Sequence, residues 1–160
     1  MRTAIVTGGA RGIGLGIAEA LAASGCAVAI FDLNQEALGE AQARLKADFP
    51  NARILPMKVN VTAVAEVSAA VVEVHRTLRS IDVLVNDAGI VRDKKITAVN
   101  EADWDDVIDT NLESQFLTCR AVAPVMIGRG RDGLSISRPA LGWAAMASQT
   151  IRRRRAGWSA

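Results

Sequence analysis

Thr7-Gly8-Gly9-Ala10-Arg11-Gly12-Ile13-Gly14 lies between an apolar run, Ala4 to Val6, and an Ala/Leu-rich run, Ile17 to Ala23. That order predicts a strand, a glycine turn and a helix, the opening unit of a dinucleotide-binding α/β fold. Glycine lets the backbone come close to a pyrophosphate, and a helix start directs unpaired N–H groups and the positive end of its dipole toward it. Gly8, Arg11, Gly12, Ile13 and Gly14 are therefore candidate cofactor-binding residues.

A second apolar run, Ala27 to Phe31, ends at Asp32. This acid lies about 20 residues past the turn, where a carboxylate accepts both ribose hydroxyls of NAD and repels the extra phosphate of NADP. Arg11, inside the turn, would instead attract that phosphate. The acid outweighs the arginine, so NAD is the expected cofactor and NADP the alternative. Further apolar runs, Ile54 to Val59 and Ile81 to Val85, alternate with helical patterns at 14–23, 35–49, 64–78 and 101–126. Such alternation is the rhythm of a parallel, doubly wound sheet.

The T-G-x-x-x-G-I-G spacing of Thr7–Gly14 resembles the cofactor signature of the short-chain dehydrogenase/reductase family, and later segments agree with it. Asn60-Val61 stands where that family commonly has Asp-Val against the adenine amino group. Asn keeps the acceptor oxygen and loses the charge. A strand-end polar residue beside a helix-capping Thr62 is an equal reading of Asn60. Asn86-Asp87-Ala88-Gly89 resembles the family's Asn-Asn-Ala-Gly, with Asp87 in place of the second Asn, which implies that Asn86, Ala88 and Gly89 line the ribose side of the cofactor. Trp104 to Leu112 resembles the helix that carries the family's catalytic asparagine, and Asn111 takes that position. The role implied for Asn111 is to bend its helix and hold a water in a proton relay.

The resemblance implies a Rossmann-type, doubly wound parallel sheet with strand order beginning 3-2-1-4. It also implies hydride transfer between a nicotinamide and a small-molecule carbonyl or secondary alcohol. The 3-oxoacyl reductases share this arrangement of motifs. For intact members the resemblance implies a homo-oligomer, commonly a dimer or tetramer assembled largely through segments beyond residue 131.

Composition narrows the alternatives. The chain has 160 residues, half of them hydrophobic, and no apolar run approaches the ~18 residues of a membrane span. Two cysteines, Cys26 and Cys119, and a single histidine, His75, give no disulfide framework, metal site or Ser-His-Asp triad. The first residues pass straight into a strand without a leader pattern, so a cytoplasmic setting without membrane contact is expected.

The resemblance covers residues 1–131, taken as an NAD(P)-binding domain, and leaves 132–160 as an atypical tail. Family chemistry uses a serine, then a Tyr-x-x-x-Lys pair whose phenol exchanges a proton with the substrate oxygen while the lysine lowers its pKa. This chain has no tyrosine, and its last lysine is Lys95. From Gly128 onward there are seven arginines and one acid, against 12 basic and 16 acidic residues before it. Joining the last base of each codon to the first two of the next, Gln149 to Ser159 permits N-Y-T-A-S-K-G-G-V-V, and Arg131 to Pro139 permits G-R-I-V-N-I-S-S. Both windows restore family motifs in one common frame. The tail is accordingly expected to be out of frame, the arginine run Arg152 to Arg155 to serve no nucleic-acid partner, and the chain as written to be inactive. A sheet incomplete at its C-terminal end would also leave Val83 to Val85 facing an absent neighbour.

Overall fold

The computed structural model describes residues 1–128, 133–137 and 150–151. Most of the re-framed windows and the arginine run lie outside the described residues. Strand β1 (Thr3–Thr7) leads into helix α1 (Gly12–Ala23), β2 (Ala27–Asp32) into α2 (Gln35–Asp48), and β3 (Ile54–Lys58) into α3 (Val64–Leu78). Strand β4 (Val83–Asn86) is followed by a 3-10 turn at Ile96–Ala98 and helix α4 (Glu101–Ile108). A π-helical turn, Asp109–Glu113, joins α4 to α5 (Ser114–Gly128), and strands β5 (Gly133–Ser137) and β6 (Thr150–Ile151) follow.

The strands form one sheet in the order β3-β2-β1-β4-β5-β6. Strands β1 to β5 run parallel, and β6 pairs antiparallel to β5. The order begins 3-2-1-4 as the motifs imply. The chain winds outward from β1 to β3 and then crosses back to β4, which creates a crevice between the C-terminal ends of β1 and β4. β3 ends the sheet on one side, and only an edge strand accommodates Pro56 within its run without losing a ladder bond.

Alternation along β1 divides the interior into two layers. Ala4 and Val6 join Val28, Ile30, Val83 and Val85 on one face, against Ala18 and Ala22 of α1 and Leu38, Ala41 and Leu45 of α2. Ile5 joins Ala29, Phe31 and Leu84 on the other, against Val67, Val71 and Val74 of α3 and Val122 and Met126 of α5. With both faces covered, the central strands read as continuous apolar runs, as parallel strands do.

One expectation is corrected. β4 is not an edge: Val83 pairs with Leu134, Val85 with Ile136 and Asn86 with Ser137. The alternation of apolar residues and serines in Gly133–Ser137 suffices for a strand, so Val83 to Val85 have a neighbour and the unpaired edge inferred from sequence is absent. The long helical pattern at 101–126 is also interrupted, being two α-helices joined by the π-turn.

Leu38 is fully buried beneath α2, whereas Leu33, just before that helix, is 59% exposed. Leu38→Ala is expected to destabilise the fold by about 2–5 kcal/mol in denaturant unfolding. Leu33→Ala should change it by less than about 0.5 kcal/mol.

Candidate functional site

The crevice is bordered on one side by the glycine turn after β1. Gly8 has φ +65°, and a Cβ there would lie 2.9 Å from the backbone N and Cα of Ala88. Gly14 is tighter still, since a Cβ would stand 2.2 Å from the carbonyl oxygen of Gly8. The turn therefore packs backbone against backbone, which is the form of a phosphate cradle. Gly12 opens α1, with Arg11 at its N-cap and Ile13 exposed beside it. Arg11 makes no side-chain capping bond, so the first-turn N–H groups of α1 keep their capacity for an anion.

Asp32 ends β2 next to this turn. One carboxylate oxygen accepts from the Ala10 N–H at 3.4 Å and the other from the Asn34 N–H at 3.0 Å. Asn34 caps α2 by accepting from the Ala37 N–H at 3.0 Å, so the acid is held between the glycine turn and the start of α2. A carboxylate has about four acceptor sites. Two remain for a diol.

Asn60 follows β3, and its side-chain oxygen accepts from both N–H and Oγ1 of Thr62, at 3.1 and 2.9 Å. Its own N–H donates to Glu66 at 2.8 Å. These bonds occupy the acceptor that adenine recognition would use, so the local geometry favours the turn-forming reading of Asn60. Val61 is buried. The residue before α3 is Ala63, without a capping bond; Thr62 turns back to Asn60 instead.

The other wall is the turn after β4. The Thr7 hydroxyl oxygen accepts from the N–H groups of Asp87 and Ala88, both at 3.1 Å, and so ties this turn to the end of β1. Asn86 is buried, its oxygen accepts from the Thr118 hydroxyl at 2.8 Å, and its Nδ2 lies 3.7 Å from Cys119 Sγ. Its carboxamide is thus directed to α5. Asp87 and Ala88 are half-buried and Gly89 is exposed, so Asn86 alone of the motif is buried.

Asn111 sits within the π-turn. Its Oδ1 accepts from the Ile90 N–H at 2.8 Å, and its Nδ2 donates to the Ile90 carbonyl at 2.9 Å. The amide, having both donor and acceptor, grips the backbone of the segment that follows β4. Gln115 Nε2 donates to the Asn111 carbonyl at 2.7 Å. Further out, Lys94 and Arg92 bridge to Asp103 and Asp106 of α4. The Lys94 ammonium, with smaller contributions from Arg92 and the Asn100–Asp103 cap, holds the Asp103 carboxyl below its usual value.

Thr7 entered the sequence reading only as the first residue of the glycine motif, and Thr118 and Gln115 not at all, because a hydroxyl or amide carries no signal of its role until its partner is placed. Among the described residues no group of His, Cys, Asp and Glu could hold a metal ion. His75 is exposed on α3. No helix among them is long and apolar enough to cross a membrane.

The family model described as short chain dehydrogenase matches residues 2–136. The 3-oxoacyl-[acyl-carrier-protein] reductase FabG of Chlamydia muridarum is 40% identical over 136 residues, covering 85% of this chain and 54% of the reductase. Galactitol 2-dehydrogenase of Agrobacterium fabrum is 38% identical over 152 residues, covering 95% of this chain and 54% of that enzyme. Apo LigO from Sphingobium sp. strain SYK-6 superposes with a TM-score of 0.81 at 32% identity, over 85% of this chain and 50% of that one. The chain spans about half the length of the relatives it matches.

Removing the Asn111 side chain leaves both backbone groups of Ile90 without this partner. Asn111→Ala is expected to cost about 1–3 kcal/mol in unfolding experiments and to raise amide hydrogen exchange at Ile90 before other sites. Protection at Ile90 equal to that of the parent would contradict the clamp.

Proposed function

Since the chain belongs to the short-chain dehydrogenase family, we propose that it is the dinucleotide-binding half of an NAD(P)-dependent oxidoreductase acting on a small carbonyl or secondary alcohol. The observation that carries this reading is the crevice between β1 and β4, closed by backbone contact at Gly8 and Gly14 and flanked by Asp32. The residues fit such a cofactor, because the cradle exists only while those positions lack a Cβ. When bound, a nicotinamide would supply a hydride or accept one at C4. Gly8, Arg11, Gly12, Ile13 and Gly14 would hold the pyrophosphate through α1's first turn, Asp32 the adenosine ribose, and Ala88 and Gly89 the other side of the crevice. Val61 and Asn60 would flank the adenine by position, and Asn86 would support the wall from beneath. Asn111 would fix the segment after β4 and, as the candidate catalytic residue, present its remaining hydrogen and lone pair to a relay water. A 3-oxoacyl or polyol substrate is suggested by the names of the relatives.

A reaction also needs a proton exchanged at the substrate oxygen, and the chain contains no tyrosine to do so. This absence favours a second reading, a fragment that binds dinucleotide without turnover. We read the tail as the product of a one-base shift near the codon of Arg131. A cytoplasmic protein is consistent with this reading. The exposed Trp104, Phe116 and Ile127 on α4 and α5 support association with a second copy.

Two measurements test these readings. NAD is expected to bind more tightly than NADP, and Asp32→Ser should shrink that preference by on the order of tenfold, since like charges brought together are unfavourable; calorimetry with both dinucleotides reads this. A parent preference for NADP would assign control to Arg11. Resequencing the coding DNA from the codon of Ala121 onward on an independent template should restore Tyr-x-x-x-Lys. If the printed frame is confirmed, the fragment reading stands, and no turnover with carbonyl substrates is expected.

A further inference from the structure

We propose that residues 90–113 open from the crevice as one unit, and that Asp103 is the positioning residue whose ion pairs hold the unit closed. The inference rests on the dinucleotide reading and adds a gate to it. Among the described side chains, none from Asp87 to Glu113 is buried, whereas β4 before them and Ser114 after them are. Neither α4 nor the π-turn has a buried residue, and Val91, Trp104 and Leu112 are each more than half exposed. A stretch with so little buried apolar surface opens locally at low free energy while the rest of the fold stays intact.

What holds the unit is polar. Near its start Asn111 bonds both backbone groups of Ile90. Across its middle, Arg92 Nη2 lies 3.1 Å from Asp106 Oδ2, Lys94 Nζ 2.5 Å from Asp103 Oδ2, and Arg92 Nε 3.7 Å from Asp103 Oδ1. Asp103 is the carboxylate that both cations share. Its side chain is 15% exposed, against 58% for Asp106, so its pairs are less screened than separate surface bridges, which contribute little singly. The Asp103 backbone is fixed as well, because its N–H donates to Asn100 Oδ1 at 2.7 Å. Releasing Arg92 and Lys94 from α4 leaves the Asn111–Ile90 bonds to hold the segment. Ala88 and Gly89, which would line the crevice, directly precede Ile90. Closure of the unit and binding of dinucleotide therefore favour one another.

Hydrogen exchange at single-residue resolution on the whole chain tests this. The probes are the amides of Ile90, Ala98, Asp103 and Trp104, each bonded within the unit. Asp103→Asn removes the charge and keeps the helix cap, which uses the backbone. It is expected to speed exchange at all four amides about two- to fivefold, with Val6 of β1 and Ile30 of β2 unchanged. Asp103→Glu should restore the parent rates, and added salt should move the parent toward the Asn variant. NAD should slow the four amides together, whereas adenosine, which lacks the nicotinamide end, should leave them as they were. Lys94→Gln breaks the same pair from the other side if Asp103→Asn folds poorly. Faster exchange confined to Asp103 and Trp104 would show a local role and overturn the inference, as would NAD binding that leaves Ile90 unprotected. Failure of NAD to alter any glycine-turn amide would overturn the dinucleotide reading and the gate with it; the rates without ligand would still decide whether the unit opens as one.

Discussion

Three backbones meet at the end of β1, and the architecture around the crevice depends on that contact. Gly14 approaches the Gly8 carbonyl, and Gly8 approaches Ala88, more closely than any side chain permits. Because nothing intervenes, α1 starts directly above the strand end with its first N–H groups open, and the turn after β4 closes against the same point. A methyl group at Gly14 would push α1 away from the strand. It would thereby separate the three things that define the site: the cradle, the Asp32 carboxylate bonded to Ala10, and the wall tied to Thr7.

This contact is held rigid by what lies beneath it. β1 is buried along its whole length, and its two faces serve different layers, Ala4 and Val6 toward α1 and α2, Ile5 toward α3 and α5. Small residues on the first layer, including Ala18, Ala22, Ala37 and Ala41, let two helices lie close to the sheet. The second layer uses larger branched residues from α3, among them Val67, Val71 and Val74. Strand ends that emerge from such a packed slab are fixed platforms, and functional groups borne on or next to them inherit that precision. The segment beyond β4 lacks this support and is instead held by polar ties, Asn111 on Ile90 and the Lys94 and Arg92 bridges to α4.

The fold was legible where the signal is local. Glycine spacing marks the first turn, the apolar runs mark β1 to β4, and α3 is matched at both ends because Val67, Ala70, Val71, Val74 and Leu78 repeat on one helical face. The β5 pairing was misjudged because the basic composition around it outweighed five residues of strand pattern. Spacing alone put Gly8 and Gly14 in a tight turn and Asp32 at the end of the second strand, where the structure has them. Asn60 and Asn86 could not be resolved, since a carboxamide suits a ligand and a neighbouring hydroxyl equally well. Thr62 and Thr118 decide between those partners: Thr62 bonds back to Asn60 instead of capping α3, and Thr118 lies 32 residues from Asn86. The π-turn was equally hidden: the apolar periodicity of 101–126 says only that the chain is helical.

Asn111 shows why a motif identifies a position more readily than a role. The inserted residue of a π-turn breaks the regular ladder and redirects nearby carbonyls, a feature often found at functional sites. Here one such group, the Asn111 carbonyl, accepts from Gln115, while the side chain engages both polar groups of Ile90. A carboxamide has two hydrogens and two lone pairs on its side-chain atoms. Gripping Ile90 uses one of each. The clamp and a water relay are therefore compatible, because the bonds that fix the amide also aim its remaining hydrogen and lone pair. The π-turn thus places one side chain so that it holds both polar groups of Ile90 while one hydrogen and one lone pair of its amide stay outside the clamp.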